Sequence, residues 1–132
     1  MRTTHGPNRL SVVTVERAVD VFRIVRSDDF EDPAFLDSLR SHYELSEEPR
    51  KVEREWTVIH MGISVYVNPD QAAATAERWP RIGAYVARIE LRPGHGFNVA
   101  QTGFPGRLTL WGEPVKLRDA TTDIESVGAV GR

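Results

Sequence analysis

The chain contains no cysteine among its 132 residues. This absence excludes disulfide bonds, thiol catalysis and every zinc site that depends on sulfur ligands. Long apolar runs are missing as well, since no window approaches the roughly 18 apolar residues that a membrane span requires. No apolar segment follows the charged start of the chain, so no signal peptide is indicated and the cytoplasm is the expected location.

Glycine motifs that bind phosphates are also absent. The sequence has neither the Walker-type phosphate loop nor the glycine fingerprint of dinucleotide-binding Rossmann domains. The four histidines show no spacing typical of metal ligands, so we expect no metal site. Seventeen basic and nineteen acidic residues give a net charge of −2. Nucleic-acid binding is therefore disfavoured, because such proteins usually present a basic surface.

The remaining composition is that of one folded domain. Hydrophobic residues make up 40% and charged residues 27% of the chain, which excludes a disordered polymer. We expect a disordered tail at 1–9, a single domain at 10–127 and a flexible tail at 128–132. No membrane association is indicated by this composition.

Alternation of apolar and polar side chains predicts the strands. The strand patterns cover Ser11–Val15, Val19–Arg26, Gly62–Val67, Ala84–Leu91, Leu108–Trp111 and Ala120–Val127. A capping residue followed by proline indicates the start of a helix at Asp32-Pro33 and at Asn68-Pro69. These patterns predict an α+β fold, with a small mixed or antiparallel sheet of five to six strands and two to three short helices.

Turn residues predict the connections between these elements. Glycines at positions 94, 96, 103 and 106 indicate a loop, and Gly112-Glu113-Pro114 indicates a turn. The segment 28–55 carries ten acids and four bases, a local charge of −6, whereas the rest of the chain carries +4. This acidic segment is either a solvated face or a docking surface for a basic protein partner. A homo-oligomer is a further expectation.

The order of several short motifs carries more information than composition. Phe22-Arg23-Ile24-Val25 forms an early strand, and Val65-Tyr66-Val67 directly precedes the helix that has Glu77 near its end. Tyr85-Val86-Ala87-Arg88-Ile89-Glu90-Leu91 follows as another strand. Over residues 21–91 this order resembles the RES domain, a small α+β family related to ADP-ribosyltransferases. The family's Gly-Arg-Trp-Asn type of segment is replaced here by the acidic stretch.

The resemblance implies NAD as the substrate and cleavage of its nicotinamide–ribose bond. Such cleavage develops positive charge on the ribose, which a carboxylate stabilises, while arginine holds phosphates and an aromatic ring stacks on nicotinamide. In this interpretation the catalytic residues are Arg23 as the phosphate or ribose anchor, Tyr66 as the stacking or hydroxyl group, and Glu77 as the electrostatic group. The candidates for cofactor binding are Ser64, Trp111 and Glu113, the last also being a reserve carboxylate.

Each candidate also has a purely structural explanation. Arg23 could pair with a carboxylate, Tyr66 could belong to the core, and Glu77 could be a solvated surface acid. Two functions follow: an NAD-cleaving enzyme of the glycohydrolase or ADP-ribosyltransferase type, with a toxin–antitoxin pair as one setting, or a non-catalytic α+β interaction module. The enzyme requires Arg23, Tyr66 and a carboxylate to converge in one cleft, whereas the module does not.

Overall fold

The protein is described by a computed structural model for residues 11–49 and 57–131. The predicted tail at 1–9 and the last part of the acidic segment lie outside these ranges. The strands in the described ranges are β1 Val13–Thr14, β2 Val19–Val25, β3 Ile63–Tyr66, β4 Tyr85–Leu91, β5 Asn98–Gln101, β6 Arg107–Trp111 and β7 Thr121–Ser126. The helices there are α1 Pro33–Ser38, α2 Thr57–His60, α3 Pro69–Arg78 and α4 Pro114–Asp119, followed by a 3-10 helix at Val127–Ala129.

The strands form one antiparallel sheet in the order β1-β5-β6-β3-β2-β4-β7. The α+β class and the antiparallel alternative are thus confirmed. The predicted size is wrong, because the described residues contain seven strands rather than five to six. Four α-helices likewise exceed the predicted two to three.

The additional strand, β5, lies inside the segment that we predicted as a loop. Its four residues are flanked by Gly94 and Gly96 on one side and by Gly103 and Gly106 on the other, all with positive φ. These glycines reverse the chain on both sides of β5 at conformations that other residues rarely adopt. The glycine spacing therefore marks the two ends of a short strand, which pairs with β6.

Local capping chemistry explains why α1 and α3 begin where the sequence predicts. The Asp32 carboxylate accepts a hydrogen bond from the Ala34 amide at 2.9 Å, and the Asn68 side chain accepts one from the Asp70 amide at 2.7 Å. A proline follows each cap at the first helical position, where no amide hydrogen is needed. The alanine-rich α3 ends before Trp79, whose following proline disfavours further helix.

The helices α2 and α4 are not among the predicted elements. In α4, the carbonyl of Glu113 accepts a hydrogen bond from the Leu117 amide at 3.0 Å, and Pro114 occupies the first turn. Gly112-Glu113-Pro114 therefore starts a helix instead of forming an isolated turn. The buried side chain of Leu117 holds this helix against the sheet.

The sheet separates two hydrophobic cores. Alternation along β2 and β3 sends successive side chains to opposite faces, so each strand contributes to both cores. The larger core, on the face covered by α1 and α4, includes Val21, Val25, Phe35, Leu39, Ile63, Val65, Ala87, Ile89 and Leu117. The smaller core, on the face covered by α3, comprises Phe22, Ile24, Tyr66, Ala72, Ala73, Ala76 and Val86.

The last hydrophobic residues that the structure describes lie against the smaller core. Residues 127–129 form the 3-10 helix, and Val127 and Val130 pack against the α3 face. Residues 128–131 belong to the segment expected to be a flexible tail. Within the described ranges, no helix combines the length and apolar character needed to cross a membrane.

The central strands β2 and β3 are joined unevenly. Whereas β2 and β4 pair over their full lengths, the β2–β3 junction has a single residue pair, Phe22 with Tyr66. Beyond this pair the two strands diverge toward the start of β3. The divergence creates a gap in the middle of the sheet, and this gap positions the candidate site.

Candidate functional site

A cleft with a volume of about 550 Å³ opens at the diverging ends of β2 and β3. Its walls come from these strands, from α1 and the turn after it, from the segment between α3 and β4, and from the start of β6. The lining residues that carry polar chemistry are Arg23, Arg26, Asp37, Ser38, Arg40, His42, Glu47, Ser64, Tyr66, Arg81 and Arg107. The cleft therefore gathers side chains that are far apart in the sequence.

Arg23 bridges the two sides of the cleft. Its Nε donates a hydrogen bond to the carbonyl of Ser38 at 2.9 Å, and its Nη1 donates one to the carbonyl of Ser64 at 2.9 Å. Because β2 and β3 diverge here, the guanidinium supplies a donor to a β3 carbonyl where a ladder amide would otherwise stand. Arg23 thus holds α1, β2 and β3 together while it lines the cleft.

Ser64 also accepts a hydrogen bond from a second guanidinium group. Nη2 of Arg107, which lies at the start of β6, donates a hydrogen bond to the Ser64 hydroxyl oxygen at 2.8 Å. Arg23 binds the main-chain carbonyl and Arg107 the side chain, so two positive groups approach one residue. Ser64 is only half-buried, and it connects the two arginines on the cleft wall.

Tyr66 lines the cleft but belongs mainly to the smaller core. Only 5% of its surface is exposed, and its ring lies 6.4 Å from that of Phe104. Phe104, which sequence reasoning did not single out, is 45% exposed in the turn between β5 and β6. The guanidinium of Arg107 lies 5.8 Å from the Phe104 ring centroid. Phe104 therefore presents an accessible aromatic ring next to two residues of the cleft, although it does not itself line the cleft.

The other three sequence candidates do not line the cleft. Glu77 is exposed on α3, and Glu113 is exposed at the start of α4. Trp111 donates a hydrogen bond from its indole Nε1 to the carbonyl of Val58 at 2.7 Å, which ties β6 to α2. The structure therefore brings Arg23, Ser64 and Tyr66 together and leaves Glu77, Trp111 and Glu113 outside.

Part of the acidic segment forms one wall of the cleft. Directly after α1, the Ser41 amide donates to the Glu44 carboxylate at 2.8 Å, and the Glu44 amide donates to the Ser41 hydroxyl oxygen at 3.1 Å. This reciprocal pair is a capping box, which stabilises the turn that follows. The turn carries His42 and Glu47 into the lining, with His42 Nε2 and Glu47 Oε1 3.7 Å apart.

The charge of the lining differs from that of the whole chain. Five arginines and two carboxylates line the cleft among the described residues, which leaves an excess of three positive charges if His42 is neutral. One carboxylate, Asp37, lies 3.2 Å from Arg40, and both side chains are partly exposed. The chain with a net charge of −2 thus encloses a locally positive cleft.

Sequence reasoning identified only one of these five arginines. Arg26 follows β2, Arg81 precedes β4 and Arg107 begins β6, so their meeting depends on the strand order. Their only common signal in the sequence is position at the end of a strand pattern. Within the described ranges, no group of three or more histidine, aspartate or glutamate side chains could hold a metal ion.

Comparisons with known proteins add no relative from which a function could be transferred. No protein-family model matches the chain, and neither the curated proteins nor the solved structures yielded a similar one. A function is therefore inferred from the cleft and its residues.

Proposed function

We propose that the protein is an NAD-handling enzyme that cleaves the nicotinamide–ribose bond, as a glycohydrolase or an ADP-ribosyltransferase does. The observation that carries this proposal is the convergence of Arg23, Ser64 and Tyr66 in one arginine-rich cleft. A volume of about 550 Å³ lies within the range of small-molecule sites. Guanidinium groups suit the diphosphate of NAD, because their planar donors form paired hydrogen bonds with phosphate oxygens.

The reaction breaks one bond and forms another at the same ribose carbon. The bond between C1′ and the nicotinamide nitrogen breaks, and its electron pair leaves with neutral nicotinamide. Positive charge develops on the ribose until the oxygen of water, or another nucleophile, bonds to C1′ and releases its proton. A carboxylate close to the ribose stabilises this charge electrostatically.

We assign that electrostatic role to Glu47 in place of Glu77. Glu77 is exposed outside the cleft, whereas Asp37 and Glu47 both line it. Asp37 is engaged by Arg40 at 3.2 Å, while Glu47 lies 3.7 Å from His42. The longer separation leaves the Glu47 carboxylate more available to a ligand than the Asp37 carboxylate.

The first test compares two isosteric substitutions. We expect Glu47→Gln to lower the rate of nicotinamide release by roughly 100-fold or more, because a transition-state charge loses its partner. Glu77→Gln should leave that rate unchanged, since its side chain is outside the cleft. Free nicotinamide would be measured by chromatography after incubation with NAD. No release by the unmodified protein, or equal loss in both variants, would contradict the proposal.

A specific observation supports the non-catalytic alternative as the second candidate. Each carboxylate that lines the cleft in the described part of the chain faces a cationic or titratable side chain. A cleft of this kind can bind an anion without cleaving it. NAD binding without nicotinamide release would favour this module, with the acidic 28–55 segment available for a basic partner such as an antitoxin.

A further inference from the structure

Two of the five cleft arginines, Arg26 and Arg81, have no polar partner for their side chains among the described residues. Arg23 and Arg107 donate hydrogen bonds to Ser64, and Arg40 pairs with Asp37. For the side chains of Arg26 and Arg81, by contrast, the described residues supply no hydrogen bond and no ion pair. Both side chains are exposed at the cleft.

The fold places these two arginines on adjoining segments. Val25 pairs with Tyr85 at the end of the β2–β4 ladder, and Arg26 comes next after Val25. Gly83 lies so close to this end that a Cβ atom on it would stand 2.3 Å from the Val25 carbonyl oxygen. Arg81 is two residues before Gly83, so a backbone contact carries both arginines to the same end of the cleft.

The segment that holds Arg81 is itself constrained. The Ile82 amide donates a hydrogen bond to the Trp79 carbonyl at 3.0 Å, which closes a turn after α3. Ile82 packs against the smaller core beside this turn. The backbone is therefore anchored on both sides of Arg81, while the guanidinium remains at the surface of the cleft.

Two guanidinium groups without a polar partner among the described residues contribute to the excess positive charge of the cleft lining. The resulting positive potential attracts anions, and it attracts a group with two negative charges more strongly than a group with one. Phosphate groups fit best, because they accept paired hydrogen bonds from guanidinium groups in a fixed geometry. A single carboxylate offers less charge to the same two arginines.

We infer that Arg26 and Arg81 form a subsite for the diphosphate group of a small ligand, either within a nucleotide or as free pyrophosphate. The inference deepens the proposed function and depends on it only for the identification of the nucleotide as NAD. It transfers the phosphate-anchoring role from Arg23, whose guanidinium already holds two main-chain carbonyls.

Isothermal titration of the intact protein with pyrophosphate and with ADP-ribose tests the subsite. We expect Arg26→Gln and Arg81→Gln each to weaken pyrophosphate binding about 10-fold or more, as loss of a hydrogen bond to a charged group does. Arg17→Gln is the matched control, because Arg17 is exposed but does not line the cleft. Binding should also weaken as salt is raised.

Thermal unfolding without ligand supplies a second readout that a structural role would not reproduce. Because neither guanidinium makes a hydrogen bond or an ion pair among the described residues, both variants should melt at the same temperature as the unmodified protein. Failure of pyrophosphate to bind at millimolar concentration, or unchanged binding in the double variant, would overturn the inference. Equally tight binding of citrate would overturn the assignment to phosphates.

The two ligands separate the sources of the diphosphate group. Binding of both supports a nucleotide subsite, and binding of pyrophosphate alone supports a site for the free anion. ADP-ribose binding together with no release of nicotinamide from NAD would support the subsite and reject the proposed reaction. The inference and the proposed function can therefore fail separately.

Discussion

The two sides of β2 are built in contrasting ways. On one side, β2 pairs with β4 over seven successive residues, from Val19 with Leu91 to Val25 with Tyr85. On the other side, the ladder to β3 consists of one pair. The continuous side satisfies the backbone by strand pairing alone, whereas the interrupted side depends on the side chain of Arg23.

This difference explains where the cleft lies. A closed ladder leaves no room for a ligand, because neighbouring strands lie only about 4.8 Å apart. At the interrupted junction the strands diverge, and polar side chains from four other segments enter the space. The protein thus gives up ladder hydrogen bonds at the β2–β3 junction and gains a polar cleft there.

The largest loss of unfolding free energy should come from a substitution at the end of the β2–β4 ladder, where Val25 pairs with Tyr85. Gly83→Ala would place a Cβ atom 2.3 Å from the Val25 carbonyl oxygen, so the backbone must shift. We expect a loss of about 3 kcal/mol in the free energy of unfolding, measured by urea denaturation. The control is Gly128→Ala, where no atom of the described residues beyond its own chain neighbours and helix backbone lies within 4 Å of the new Cβ. Similar stability of the two variants would show that the close approach of Gly83 to Val25 does not contribute to the stability of the β2–β4 pairing.

A smaller loss of unfolding free energy is expected from a substitution at the β2–β3 junction. Arg23→Met removes two hydrogen bonds and leaves the carbonyls of Ser38 and Ser64 without these donors. The expected loss of unfolding free energy is about 2 kcal/mol, because hydrogen bonds from a charged group are stronger than average. Arg88→Met on β4 is the comparison, since its guanidinium makes an exposed ion pair with Asp20 at 3.8 Å and a contact 5.5 Å from the Phe22 ring centroid, and neither replaces a ladder hydrogen bond. Equal losses in the two variants would contradict the special role of Arg23.

The smallest loss of unfolding free energy is expected from a substitution that removes only one of the two guanidinium contacts at Ser64. Ser64→Ala deletes the hydroxyl that accepts from Arg107 but keeps the carbonyl that accepts from Arg23. We expect a loss of about 1 kcal/mol by chemical denaturation, the usual value for a single hydrogen bond. Thr122→Ala, which removes an exposed 3.4 Å contact on β7, should cost less. A larger loss of unfolding free energy in Thr122→Ala than in Ser64→Ala would contradict a stabilising role for the contact between Ser64 and Arg107.

Elements determined by local chemistry could be predicted from the sequence. The caps at Asp32 and Asn68 bind amides of their own helices, so residues next to each other in the chain contain the signal. The strand β5 could not be recognised in this way, because its four residues lack a clear alternation and glycines surround it. Its pairing with β6 depends on a partner in the folded sheet.

The candidate site was predictable only where strand alternation applies. Arg23, Ser64 and Tyr66 lie on strands that the pattern located, and all three line the cleft. Arg26 and Arg81 line the same cleft because Gly83 contacts Val25, a tertiary contact with no local signature. The placement of Glu77 could not be predicted for a different reason. Its position in the sequence puts it near the end of α3, but it does not show whether the side chain faces the cleft or the solvent.

The most direct test of the central claim is a crystal structure of the protein grown with ADP-ribose. We expect the ligand to lie in the cleft between β2 and β3, with its diphosphate against Arg26 and Arg81. The hydrogen bonds from Arg23 to Ser38 and Ser64 should be unchanged. A ligand bound elsewhere on the protein, with the cleft empty, would contradict the claim that the interrupted junction is the functional site.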